Sequence, residues 1–290
     1  MKIDDANAHI YTYDNLYQLI NVDYNDGSIT SYYYDKLGNR TSVVDGNGVI
    51  GYWKMDDNAD NTTVVDSSGN GNNGTFNDAG GDPNTSAHHI SGKVGGALTF
   101  DGDGDYVDIG DNAYLDSPSN SNALTISAWV YPKTVSGIHG VVSKWAQNNR
   151  AYLLQLNSNR VEFALGYNSG GSYNSLSAAA NLQTNNWYHI AGVYNGSNMI
   201  VYVDGIFVDG TSWSTAPSST SAKVHIGDLE YSTARRYFNG TIDDVMIFNR
   251  ALIEEEISAL YNVPGYDKAG SLTTDKDGYE YEYDYENRIV

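Results

Sequence analysis

From residue 96 to 248 the chain alternates apolar and polar residues in short runs. "ALTISAWVYP" (123–132) is one such run, and "VVSKW", "AYLLQLN" and "RVEFALGY" follow it. "WYHIAGVYNGSNMIVYVDGIFVDG" (187–210) reads as two or three strands joined at Asn195-Gly196 and Asp204-Gly205. A period of two marks a strand with one buried face, and Asn-Gly or Asp-Gly marks a tight hairpin. "GALTFDGDGDYVDIG" (96–110) reads as a hairpin over a Gly-Asp turn. A helical stripe occurs at "ALIEEEISALYN" (251–262), where Leu252, Ile253, Ile257 and Leu260 share a face and Val263-Pro264-Gly265 ends the run. Ile253 stands where a capping hydroxyl is usual, which puts the helix start in doubt. Many short strands with frequent turns predict an all-β sandwich or barrel carrying one short helix near its C-terminal end.

The two ends of the chain have a different rhythm. Twelve of the 25 tyrosines lie within residues 1–45 and 266–290. Tyr13-Asp14 recurs as Tyr34-Asp35, and Tyr266-Asp267 as Tyr283-Asp284. The pairs sit in alternating sequence punctuated by Asp26-Gly27, Gly38-Asn39 and Asp277-Gly278, which predicts short β-hairpin repeats.

"YYYDKLGNRTSV" and "YEYDYENRIV" resemble the YD-repeat (RHS-repeat) family. That resemblance implies a large exported or surface protein whose strand repeats spiral into a shell. The middle pieces "GYWKMDD", "VVDSSGNGNNGTF", "GGALTFDGDGDYVDIG", "LTISAWVYP", "WYHIAGVYNGSNMIVYVDG" and "FNGTIDDVMIFNRALIEEEISALY" resemble, in order, the LamG-like (laminin G) family. It implies a concanavalin A-like jelly-roll β-sandwich. The expected organisation is a YD-repeat hairpin segment at 1–46, the sandwich at 47–264 and a second repeat segment at 265–290. The seam predicts that Asp45 and Tyr266 lie close in space, with Val43, Val44 and Leu272 on strands able to pair.

Charge narrows the function. The 36 acids against 16 bases give −20, and the excess is spread along the chain. Nucleic acid needs basic patches, so it is excluded as a partner. No apolar run approaches a membrane span, so membrane insertion is not expected. With no cysteine the fold relies on its core or on metals. The start "MKIDDANAHIYTYD" lacks the apolar region of a signal peptide. The repeat resemblance nevertheless implies an extracellular or cell-surface setting, with the export signal outside this chain.

Three kinds of chemistry remain. Catalysis is not expected: the middle region holds five glutamates, three of them on the helix, and no paired-carboxylate strand, nucleophile elbow or phosphate loop. The six histidines show no zinc spacing. Calcium is the second kind. "DGDGDYVDIG" (101–110) begins like an EF-hand loop but puts Tyr106 where glycine is required. In a sandwich of the resembled kind the first and last strands are neighbours, which would gather Asp57, Asp66, Asp243 and Asp244. Four buried carboxylates require a cation, so a structural calcium is expected there. The third kind is glycan stacking, for which Trp145, Tyr167, Tyr173, Trp213 and Tyr231 are the candidates in loop-like surroundings. The expected function is non-catalytic recognition of a glycan or surface protein within a YD-repeat shell. The alternatives are an insertion that only braces the shell, and a polysaccharide hydrolase.

Overall fold

The structure is a computed structural model that describes residues 48–230 and 235–262 with their side chains. It also describes the backbone of strands in the flanks, at Ile10–Tyr13, Leu19–Asp23, Ile29–Tyr34, Arg40–Asp45, Gly265–Tyr266 and Leu272–Thr274. The first four of these form an antiparallel meander in chain order. The expected hairpin turns at Asp26-Gly27, Gly38-Asn39 and Asp277-Gly278 lie outside the described residues.

The middle region is a sandwich of two antiparallel sheets. One sheet runs in the order Ser172–Ala178, Arg160–Tyr167, Asn149–Asn157, Ile138–Ala146, Val224–Ile226, Tyr106–Gly110, Gly74–Asn77, Thr63–Val64. The other runs Ile206–Ser212, Asn198–Val203, Tyr188–Tyr194, Leu124–Pro132, Asn239–Phe248, Gly96–Asp101, His89–Ser91, and Val49–Trp53 also pairs with Asn239–Phe248. The first and last strands of the sandwich are therefore neighbours, with Val49 opposite Phe248 and Trp53 opposite Val245.

Alternation sends Ile126, Ala128 and Val130 into a core shared with Leu154, Phe163, Val142 and Ile226. The strand Leu124–Pro132 is buried on its other face as well, because helix Glu254–Tyr261 covers that sheet. Leu252, Ile257 and Leu260 pack there on Ala191, Val193, Tyr202 and Phe248. Each such side chain contributes about 1.5–3 kcal/mol. The doubtful helix start is resolved by other means. Glu256 reaches back to accept the Ile253 N–H at 3.1 Å, and the Thr125 hydroxyl accepts the Leu252 N–H at 2.9 Å.

Two expectations change. Gly96–Asp101 and Tyr106–Gly110 are not a hairpin. The first pairs with Asn239–Phe248 and the second with Gly74–Asn77, in the opposite sheet. The intervening "DGDGD" is an arch between sheets, with Gly102 and Gly104 at positive φ. In the flanks, Val43 and Val44 pair with Tyr32 and Ser31, and Leu272 pairs with Tyr266. The described ladders thus do not join the two flanks. The hairpins at Asn195-Gly196 and Asp204-Gly205 form as expected, with Asp204 and Gly205 both at positive φ.

Candidate functional site

Two regions carry the candidate chemistry. The first is an acidic bulge. Across Leu124–Pro132 the register slips between Ser127, opposite Met246, and Trp129, opposite Asp243. The extra residue falls at Asp244, whose φ is +44°. Asp243 is fully buried; its Oδ2 accepts the Lys93 and Val94 N–H groups at 2.7 and 2.9 Å, while its Oδ1 is buried with no partner. Asp244 Oδ1 accepts the Tyr52 hydroxyl at 2.7 Å. Burial, reinforced by Asp244, pushes Asp243 well above the usual carboxylate range, and burial takes Asp244 up to about 7.

Of the four expected calcium ligands the structure brings these two together. The third carboxylate in their field is that of Asp56, not Asp57. Asp56 Oδ1 accepts the Gly96 N–H at 2.6 Å, which ties it to the Gly92–Gly96 turn under Asp243. Asp57 instead accepts the Val65 N–H at 3.2 Å. Asp66 is removed for a clearer reason: its carboxylate already accepts the N–H groups of Tyr52, Ser68 and Asn72 at 2.9–3.0 Å. It folds the "DSSGNGNNG" loop rather than offering oxygens to an ion, and the Asn72 carbonyl in that loop accepts the buried Trp53 indole at 2.9 Å.

The second region is the outer face of the sheet that begins at Ser172–Ala178. Register puts Gln155, Glu162 and Ser177 side by side across three strands. Glu162 Oε2 accepts from Gln155 Nε2 at 2.9 Å and from Asn157 Nδ2 at 2.8 Å. A carboxylate only accepts, so the Gln155 amide must present its nitrogen there. Its Oε1 is then buried and unpartnered. Beside this row Arg160 donates to the Ser177 hydroxyl at 2.9 Å.

The aromatic candidates separate into two groups. Trp145 is 3% exposed and lies within strand Ile138–Ala146, not in a loop. It packs with Leu153, Ala164 and Leu229 on the outer face, edge-on to Tyr173 at 5.3 Å. Tyr173 is 47% exposed, and the Arg150 guanidinium lies 5.3 Å from its ring centre. Tyr167 and Trp213 meet at 5.1 Å, with Trp213 packed on the main core between the sheets. The two pairs therefore do not form one platform. Tyr231 is on a short strand paired with Ala234–Arg235, and its side chain lies outside the described residues. The loop before it is anchored by Asp228. Burial opposes the charge on Asp228, but hydrogen bonds from His225 and Arg235 outweigh it and hold the carboxyl below its usual range. Among the described residues no helix is long and apolar enough to cross a membrane.

Two packed antiparallel sheets, an arch between them and a helix over one outer face define a jelly-roll sandwich. The chain belongs to the concanavalin A-like lectin/glucanases superfamily, whose family model matches residues 101–258, over half of the 290 residues. An RHS-repeat model matches residues 13–50. Domain 4 of AbnA, an extracellular GH43 arabinanase from Geobacillus stearothermophilus solved with arabinotriose, shares the fold at 18% identity and a TM-score of 0.53, covering 73% of this chain and 97% of that one. The receptor-binding domain of a botulinum neurotoxin C/D mosaic serotype matches at 15% identity and a TM-score of 0.57, over 82% of this chain and 56% of that one. The binding domain of botulinum neurotoxin DC, solved with SialylT, matches at 18% identity and a TM-score of 0.51, over 79% of this chain and 56% of that one. The chain thus spans a little over half the length of these toxin domains. Among curated proteins none matches. Carbohydrate- or receptor-binding domains are accordingly among its structural neighbours, on a fold that glucanases share.

Proposed function

We infer that the sandwich is a non-catalytic recognition module that takes a carbohydrate on the outer face, along the strand from Gln155, Glu162 and Ser177 to Tyr173 four residues away. The carrying observation is the buried, unpartnered Gln155 Oε1 next to a carboxylate held by two amides. Once the Gln155 side chain turns outward a sugar hydroxyl can donate to this acceptor, and the exposed Tyr173 ring, about 13 Å along the strand, offers an apolar face to a further residue of an oligosaccharide. A glycosidase works with two carboxylates about 5–9.5 Å apart. The hydrogen-bond partners of Glu162 are amides, which favours binding over hydrolysis. The RHS repeat supports a place within a larger, exported repeat protein.

A structural calcium belongs to the same reading, held at the Asp243–Asp244 bulge with Asp56 adding negative charge nearby. The unpartnered Asp243 Oδ1 fits a hard, oxygen-seeking cation that would draw its remaining oxygens from carbonyls and water. The ion would fasten the Gly92–Gly96 turn to the bulge. It has no part in holding the sugar.

A second reading, bracing of the repeat shell, is favoured by one observation: the backbone of strand Arg40–Asp45 runs beside helix Glu254–Tyr261. Titration with a panel of oligosaccharides separates the two. Binding that Glu162→Gln and Tyr173→Ala each weaken about tenfold, with the melting temperature kept, supports recognition. Lack of any glycan binding by the whole chain favours bracing, and binding indifferent to both substitutions moves the site elsewhere.

A further inference from the structure

We propose that Asp78, His88 and Asp105 form a second metal site, selective for a first-row divalent cation such as zinc, that clamps the arch between the two sheets. One ligand atom from each of the three residues lies within 4.8 Å of the others. The fold produces this convergence in two steps. Asn77 pairs with Tyr106 at the end of the ladder, so the next residues outward, Asp78 and Asp105, leave the sheet side by side. Like charges placed opposite one another destabilise a strand pair. His88 then enters from the short helix Thr85–His88, its ring centre 4.2 Å from that of Phe76.

The two carboxylates are steadied from behind and have capacity left in front, and His88 Nε2 lies 2.9 Å from the Asp82 carbonyl, which orients the ring and leaves Nδ1 for an ion. Asp78 Oδ1 accepts the Gly80 and Gly81 N–H groups at 2.9 and 2.7 Å, and its Oδ2 lies 3.5 Å from His88 Nε2. Asp105 is 2% exposed. Its Oδ2 accepts the Asp101 N–H at 2.9 Å and lies 3.8 Å from His88 Nδ1. Its Oδ1 is buried with no partner, so the carboxylate facing the imidazole has one oxygen unused. The two acidic loops are packed tightly against each other. Gly104 has φ +109°, and a Cβ there would come within 2.4 Å of the Ala79 methyl.

An imidazole with two carboxylates suits zinc and its neighbours better than calcium, which takes six to eight oxygens. Zinc bonds of about 2.0–2.2 Å put tetrahedral donors roughly 3.3 Å apart, so the donors must draw in from the 4.8 Å span they occupy. Backbone amides behind both carboxylates supply the outer support that fixes ligand orientation. The alternative for these residues is a histidine that only pairs with the two aspartates.

The test uses the whole chain in saturating calcium, so that the Asp243 region is not left to compete. Zinc titration by calorimetry should give one site in the unaltered chain and in Asp243→Asn. His88→Gln and Asp105→Asn should each weaken it at least about tenfold. In the unaltered chain, zinc should shift the ring nitrogen resonances of His88 and leave those of His189 in place, a readout that needs no variant. Absence of zinc binding, binding unchanged in His88→Gln, or an unmoved His88 resonance would overturn the proposal.

Discussion

Asp244 and His189 line the same cavity of about 50 Å³, between Tyr52, Trp129 and Leu260. Burial drives them in opposite directions: Asp244 rises from 3.8 to about 7, and His189 falls from 6.5 to about 3. Their linkage signs are therefore opposite. Between pH 3.8 and 7 the folded chain keeps the Asp244 proton that the unfolded chain has released, so stability falls as pH rises. Between pH 3 and 6.5 the unfolded chain binds a His189 proton that the folded chain refuses, so stability rises with pH. Each slope is about 1.36 kcal/mol per pH unit, and the two cancel over most of their shared range. Asp244→Asn keeps an acceptor for the Tyr52 hydroxyl and removes one slope. Without divalent cations, the stability of the variant minus that of the parent should grow from pH 4 to 7 by on the order of 4 kcal/mol, and removing the Asp244 charge beside Asp243 adds to the gain. Urea unfolding followed by tryptophan fluorescence across pH 4–8 in chelator measures it. A pH-independent difference, or one of opposite sign, would refute the reasoning. Added calcium should shrink or reverse the gain if the ion sits where proposed, because the carboxylate then has a counter-charge.

Asp66→Ala should cost about 3 kcal/mol, since three backbone N–H groups lose their acceptor, and it should leave any calcium response intact; chemical denaturation with and without calcium checks both halves. Lys144 is fully buried, donates to Asp111 and to the Ala222 carbonyl at 2.6 and 2.7 Å, and lies 3.5 Å from Asp116. Lys144→Ala should destabilise the fold by about 2–4 kcal/mol, through the space left by its buried stem and the Ala222 carbonyl left without a donor, read as a lowered urea midpoint at unchanged slope.

The strands were legible because burial on one face imposes a period of two, and the Asn-Gly and Asp-Gly turns set the hairpins. The arch at 101–105 reads as a hairpin in the sequence because glycine and aspartate serve a hairpin and a sheet-to-sheet crossing equally well. Only the long-range pairing of Gly96–Asp101 with Asn239–Phe248 separates the two. The acidic bulge was half legible. Asp243 and Asp244 stand out in "TIDDV", but Asp56 and Asp57 are adjacent in sequence and only the local backbone decides which of them faces the bulge. Trp145 looked like a loop residue because its neighbours are polar, while the burying contact, Leu229, is 84 positions away. Gln155, Glu162 and Asn157 carry no motif, and their grouping exists only once two strands are in register. His88 was invisible as a ligand for a similar reason, since Asp78 and Asp105 meet through a ladder and not through spacing.

The pairing of Val49 with Phe248 and the Asn249 N–H to Gly48 carbonyl bond at 2.8 Å bring the outer ends of the first and last strands together, while helix Glu254–Tyr261 carries the chain back along the sheet until Tyr261 stacks on Trp129. That geometry has a mechanical meaning. Tension between the two ends of the sandwich is carried through the helix before it reaches the last strand, because the helix follows that strand in the chain. The packing of Leu252, Ile257 and Leu260 on the sheet is therefore loaded together with the terminal ladder at Val49, and the helix acts as a latch over the joined strand ends.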